Sequence, residues 1–170
     1  MERRLFALDQ NFPEPIVLSI MKAVPVAELV PVRTIDPKLA EVDDWELLLA
    51  LHQDERPWDG LITNDDAMLS LPKDVTVLSQ THLTLVVAKG EGHNPVRAAG
   101  VLLCHLNFIC HHTRQDRAQV WNLRVTQKNA DEPTAFLDRI ATRENTTAAE
   151  LFKRHRLSAP ELAGGDKKST

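Results

Sequence analysis

The chain has 170 residues, 43% of them hydrophobic and 26% charged, with a net charge of −4 at neutral pH; this is ordinary globular composition, long enough for one domain with a buried core. No run of about 18 apolar residues is present to span a membrane. With three Trp, five Phe and no Tyr, the composition speaks against a single-strand nucleic-acid binder built on stacked aromatic platforms.

In chain order, Leu5-Phe6-Ala7-Leu8 predicts a short buried parallel strand that stops abruptly at Asp9. Asn11, Pro13 and Pro15 predict a turn, and residues 16–24 a helix, with proline tolerated in its first turn. Residues 26–32 predict a second strand, closed by a polar loop over 33–37. From Asp43 or Asp44 the pattern turns helical: Trp45, Leu47, Leu48, Leu49 and Leu51 form a broad apolar face behind an Asp N-cap. Residues 60–63 predict the third strand, with Asn64-Asp65-Asp66 at its carboxyl end. Residues 75–78 and 83–87 are rich in β-formers and predict one strand each. Residues 90–95 predict a flexible loop, 97–112 a mostly apolar helix and 118–125 a strand. Helices are expected over 133–143 and 147–156, the latter opened by the capping-box pattern Thr147-x-x-Glu150. Residues 163–170 form a polar tail expected to be disordered.

Strands alternating with helices predict an α/β fold whose parallel or mostly parallel sheet is covered on both faces. The organisation expected is a body over 1–112, a basic extension over 113–162 and the tail. Charge divides the same way: residues 1–112 carry 9 Lys/Arg against 16 Asp/Glu, a balance of −7, and residues 113–170 carry 11 against 8, a balance of +3. An acidic body beside a basic tail suits a metal site next to a surface that meets phosphate, and equally a solvated helical tail. Cys104 and Cys110 read as reduced thiols, and without an apolar leader the expected address is the cytoplasm.

In open parallel sheets, ligands bind beyond the carboxyl ends of the strands. Asp9 ends the first predicted strand, Asp65 ends the third and Asp44 opens the helix between them, so topology can direct all three into one crevice. Oxygen donors without His or Cys favour Mg²⁺ or Mn²⁺ over zinc. Such an ion activates water for in-line attack on phosphorus, which makes phosphodiester hydrolysis the reaction in view. Taken singly, each acid also reads as a turn or cap residue.

Leu5-Phe6-Ala7-Leu8-Asp9-Gln10-Asn11-Phe12-Pro13 resembles the apolar-strand, Asp-x-Asn-x-Pro opening of PIN-like nucleases. Asp44-Trp45-Glu46-Leu47-Leu48 is similar to their Asp-x-Glu-Ile-Leu helix start, and Leu61-Ile62-Thr63-Asn64-Asp65 resembles their strand ending in Thr-x-Asp. The three motifs keep the family's order over roughly residues 5–95. The resemblance implies a PIN-like three-layer α/β/α fold with a mostly parallel sheet, here followed by a C-terminal strand and helix extension. It implies Mg²⁺- or Mn²⁺-dependent cleavage of RNA, with Asp9, Asp44 and Asp65 as catalytic metal ligands and Asp66 as an additional acid. Asn11 would order the first loop, and Thr63 would hydrogen-bond a ligating carboxylate or a bound water. Asp43 competes with Asp44 for the second position. Many relatives are toxins restrained by an antitoxin, so RNA and an antitoxin protein are the implied partners. The sequence departs from the family where a further downstream acid is matched only by Glu91, and where Met68 or Leu69 replaces the aromatic that often follows Thr-x-Asp.

Those departures keep open an inactive PIN-like binding module that docks a partner through the basic residues between Arg114 and Arg156. Asp9, Asp65, Ser79 and Lys89, each following an apolar run, also loosely resemble a phosphorelay receiver, a Mg²⁺-binding signalling domain. Cys104-His105 and Cys110-His111-His112 invite zinc, but residues seven apart on a helix are separated by about 10 Å, too far for one ion. They read as buried thiols of a core helix whose C-terminal histidines complement its dipole. The apolar stretch 101–109, if exposed, would serve a homodimer.

Overall fold

The short apolar runs at 6–8, 60–63 and 84–87 become strand segments buried on both faces. In the computed structural model, residues 3–12, 14–21, 24–88, 94–123 and 130–164 are described. Among them, β1 (Arg4–Leu8), β2 (Ala27–Pro31), β3 (Gly60–Thr63), β4 (Thr84–Val87) and β5 (Gln119–Asn122) form one parallel sheet in the order β2-β1-β3-β4-β5. The helices are α1 (Glu14–Met21), α2 (Val32–Ile35), α3 (Asp44–Gln53), α4 (Pro72–Ser79), α5 (Pro95–His112), α6 (Pro133–Glu144), α7 (Ala148–His155) and α8 (Ala159–Leu162).

Side chains alternate across the sheet with the period of two that a strand imposes. Phe6, Leu8, Ile62, Val86 and Trp121 enter one core, against α5 and the α1 side. Ala7, Leu61, Leu85, Val87 and Val120 enter the other, with residues of α3, α4, α6 and α7. The result is the three-layer α/β/α arrangement. The β4–α5–β5 connection crosses on the same face as β1–α1–β2 but in the opposite direction along the sheet, so the two have opposite hands. Gly60 permits the close pairing of β3 with β4: a Cβ there would stand 1.8 Å from the Thr84 carbonyl oxygen.

The sheet runs through the boundary expected at 112/113. β5 is its edge strand, Val120 makes an antiparallel bridge to Asp131, and α6 and α7 pack on α4.

Three expectations are corrected. Residues 75–78 lie in α4, not in a strand. Pro72 sits in the first helical turn, and Val75, Thr76, Val77 and Leu78 are all buried. The helix propensity lost by β-branched residues is a few tenths of a kcal/mol each, and burial on this scale outweighs it. The polar loop at 33–37 instead contains α2 and leads into a 3-10 turn, Pro37–Ala40, where the Asp36 side chain accepts from the Lys38 N–H at 2.9 Å. Finally, the apolar face of 101–109 turns into the sheet: Leu102, Leu106 and Ile109 are fully buried, leaving Phe108 exposed and stacked on His112. Of the two free thiols, Cys110 is buried and pushed up to about 11 by burial, whereas Cys104 is exposed. Pro13, Lys89, Glu91, Arg124, Lys128 and residues 165–170 lie outside the described residues.

Candidate functional site

The chain leaving β1 turns to one face of the sheet and the chain leaving β3 turns to the other. A crevice opens between these adjacent strands at their carboxyl ends, where α/β proteins of this strand order bind ligands. Asp9 follows β1 directly, its N–H donating to the Ile62 carbonyl at 2.9 Å, and Asp65 lies two residues beyond β3.

Thr63 ties the two acids together. Its buried hydroxyl donates to Asp9 Oδ2 at 2.7 Å and accepts the Asp65 N–H at 3.0 Å. The Asn11 amide donates to the same Asp9 oxygen at 3.3 Å, and the Asn64 amide donates to the Asn11 carbonyl at 2.7 Å, which joins the loops after β1 and β3. Gln10 donates to the Ala40 carbonyl at 2.7 Å and draws the segment before α3 toward the same edge. Asp65 Oδ1 accepts from the Ala67 N–H at 2.8 Å.

Asp43 is the exposed N-cap of α3, its N–H donating to the Glu46 carboxylate at 3.2 Å, and Asp44 is the first helical residue, half-buried. Burial holds the Asp44 carboxyl above its ordinary range, and the negative charges of Asp9, Asp65 and Asp43 raise it further. Acids from three separate elements therefore share one electrostatic neighbourhood, and of the two adjacent acids Asp44 is the half-buried one and Asp43 the exposed N-cap. No Lys or Arg among the described residues pairs with Asp9, Asp44 or Asp65.

A fourth acid, with no strand-end position to mark it in the sequence, lies nearby. Asp74, in the first turn of α4, is only 4% exposed, and its Oδ2 has no hydrogen-bond partner. It is pushed up to about 7 by burial, then by Asp44 and Asp43, with the Trp45 backbone N–H pulling the other way. Its signal was present as an acid two residues after Pro72, a first-turn position, and the strand reading of the following residues concealed it.

The remaining candidates are dispersed. Asp66 lines a separate cavity with Arg139 and Arg143. Met68 and Leu69, in place of the family's aromatic, are buried in the core. Ser79 ends α4, its hydroxyl donating to the Thr76 carbonyl, so it does not stand at the carboxyl edge as a receiver would require. The Nδ1 atoms of His111 and His112 lie 2.6 and 2.8 Å from the carbonyls of Asn107 and Phe108, one turn back in the same helix.

The all-oxygen donor set of Asp9, Asp44 and Asp65 fits Mg²⁺ or Mn²⁺ in its chemistry. The side chains are not drawn into a closed cage: among the described residues, no three His, Cys, Asp or Glu side chains are grouped tightly enough to hold one ion. No helix among them is long and apolar enough to cross a membrane. Comparison of the chain with protein-family models, with curated proteins and with solved structures found no match.

Proposed function

We propose that the protein is a PIN-like ribonuclease that hydrolyses RNA phosphodiesters with Mg²⁺ or Mn²⁺ held by Asp9, Asp44 and Asp65. The observation that supports this reading is the tie of Asp9 to Asp65 through the Thr63 hydroxyl at the β1/β3 crevice, with Asp44 near enough for their charges to raise its carboxyl. A bound divalent ion would supply Lewis-acid polarisation of the phosphoryl group and lower the pKa of an attacking water. The chain's own residues prepare the place. Thr63 and Asn11 orient the Asp9 carboxylate by donating to Oδ2, leaving Oδ1 without a partner among the described residues. Asp65 keeps Oδ2 in the same condition while Oδ1 fixes its turn. Mutual repulsion favours cation uptake, because an ion relieves it. A cytoplasmic address and control by an antitoxin protein belong to the same proposal.

The test is Mn²⁺-dependent cleavage of a mixed RNA pool by wild type, Asp9→Asn and Asp65→Asn. Wild type should cleave, and each variant should lose at least about 10²-fold in rate while keeping its fold; cleavage that survives both changes would refute the assignment. If the protein is a toxin, expression alone should arrest growth. The open spacing of the carboxylates favours one second reading, a PIN-like binding module without turnover; folded wild type that binds RNA yet leaves it intact in Mn²⁺ would establish it.

A further inference from the structure

Beside the acidic crevice, at the carboxyl ends of β3 and β5, lies a cavity of about 210 Å³ whose chemistry differs. Arg139 and Arg143, one turn apart on α6, bring two guanidinium groups to it, and Asn122 at the end of β5 also lines it. Leu69, Phe136 and Ile140 supply an apolar floor. Arg139 lies over the Phe136 ring at 4.8 Å from its centroid, and Arg143 donates to the Ser70 carbonyl at 3.0 Å; each guanidinium is thereby placed and retains further N–H donors. One carboxylate, that of Asp66, shares the lining. Asp66 is the next residue after Asp65, so the cavity adjoins the crevice where cleavage is proposed.

Two oriented guanidinium groups suit a phosphate, whose oxygens accept paired N–H donors. A carboxylate next to them is unfavourable for a second phosphate and favourable for a hydroxyl donor. The volume falls short of the roughly 300–1,000 Å³ of pockets that enclose drug-sized ligands, so a fragment of a nucleotide fits better than a whole one. Resting on the ribonuclease reading, we infer that this cavity is a ribose-phosphate subsite of the RNA path. Arg139 and Arg143 bind a phosphate adjacent to the scissile one, and Asp66 accepts the ribose 2′-hydroxyl, the group that distinguishes RNA from DNA.

The experiment is fluorescence anisotropy in EDTA, with the full chain and a fluorescein-labelled single-stranded RNA dodecamer beside its DNA counterpart. Arg139→Gln and Arg143→Gln should each weaken RNA binding about tenfold and lower the salt dependence by about one phosphate contact. Arg139→Glu, at an exposed position, should weaken it further without unfolding the chain. Asp66→Asn should narrow the preference for RNA over DNA. No RNA binding by the wild type, or Arg variants within twofold of wild type at the same salt slope, would overturn the subsite; an unchanged RNA-to-DNA ratio in Asp66→Asn would overturn the 2′-hydroxyl assignment. Because binding is read without metal, this failure is separable from that of the nuclease reading: loss of cleavage in Asp9→Asn with normal binding by the Arg variants rejects the subsite alone, and Arg-dependent binding with no cleavage rejects the nuclease alone.

Discussion

The two ends of the sheet treat the same residue type in opposite ways. At the amino end, Asp59 is buried just before β3, and its carboxylate accepts from Arg4 at 2.8 Å, from the Leu5 N–H at 2.8 Å and from Gln115 at 3.3 Å. Arg4 spends its other donors on the carbonyls of Cys110 and Thr113, which fastens the end of α5 to β1. At the carboxyl end, Asp44 is raised by the charges of Asp9 and Asp65 and Asp74 by that of Asp44, and none of these four acids has a Lys or Arg partner among the described residues. A buried acid that the fold needs is neutralised by the fold. Acids left to repel one another cost stability, a cost that the proposed metal ion would relieve.

The difference is sharpest in what each acid contributes to folding. Replacing Asp59 with Ala strands the Arg4 guanidinium and leaves the Leu5 N–H without its acceptor, at a cost of about 3–5 kcal/mol, seen as a fall in Tm of roughly 8–15 °C. Asp74→Asn should act with the opposite sign. Asp74 binds its proton more tightly in the folded state than in the unfolded chain, so wild-type stability falls as pH rises from about 4 to about 7 and stays lower above that. In EDTA at pH 8 the Asn variant should be the more stable by on the order of 1–3 kcal/mol, discounted for solvent reaching the crevice. Below about pH 4 the two should converge. A variant less stable than wild type at pH 8 would mean that the Asp74 carboxylate is neutralised in the fold.

These contrasts were legible in the sequence to different degrees. Asp9 and Asp65 were visible because a short apolar run that stops at an acid marks a strand end, and parallel strand ends share one edge. Asp44 was visible as a residue near a helix start, but its advantage over Asp43 needed the helix phase: Asp43 is the N-cap facing solvent and Asp44 the first helical residue. Asp74 was hidden because Val75-Thr76-Val77-Leu78 reads as a strand from composition, and only packing beneath α3, α6 and α7 makes it a helix. Asp59 and Arg4 lie 55 residues apart, and no local pattern links them. The Arg139 and Arg143 cavity was equally illegible, since it needed β5 to join the sheet and place Asn122 opposite α6.

Smaller effects sharpen the comparison further. Thr63→Val removes the hydroxyl that supports Asp9 and Asp65 and should cost about 1–2 kcal/mol by urea denaturation, with Mn²⁺ affinity lowered roughly 10–100-fold, as for other residues that orient ligands. Asp44→Asn, in EDTA, should lie within about 1 kcal/mol of wild type, because the repulsion it relieves offsets what it removes. Stability lost on the Asp59 scale would place Asp44 with the structural acids.

The most direct test of the division between the two ends is a Mn²⁺ titration followed by the EPR signal of the free ion, with wild type, Asp9→Asn and Asp44→Asn side by side. The account predicts that wild type binds Mn²⁺ and that each variant binds at least about tenfold more weakly. No binding by folded wild type, or binding indifferent to Asp9→Asn, would contradict it.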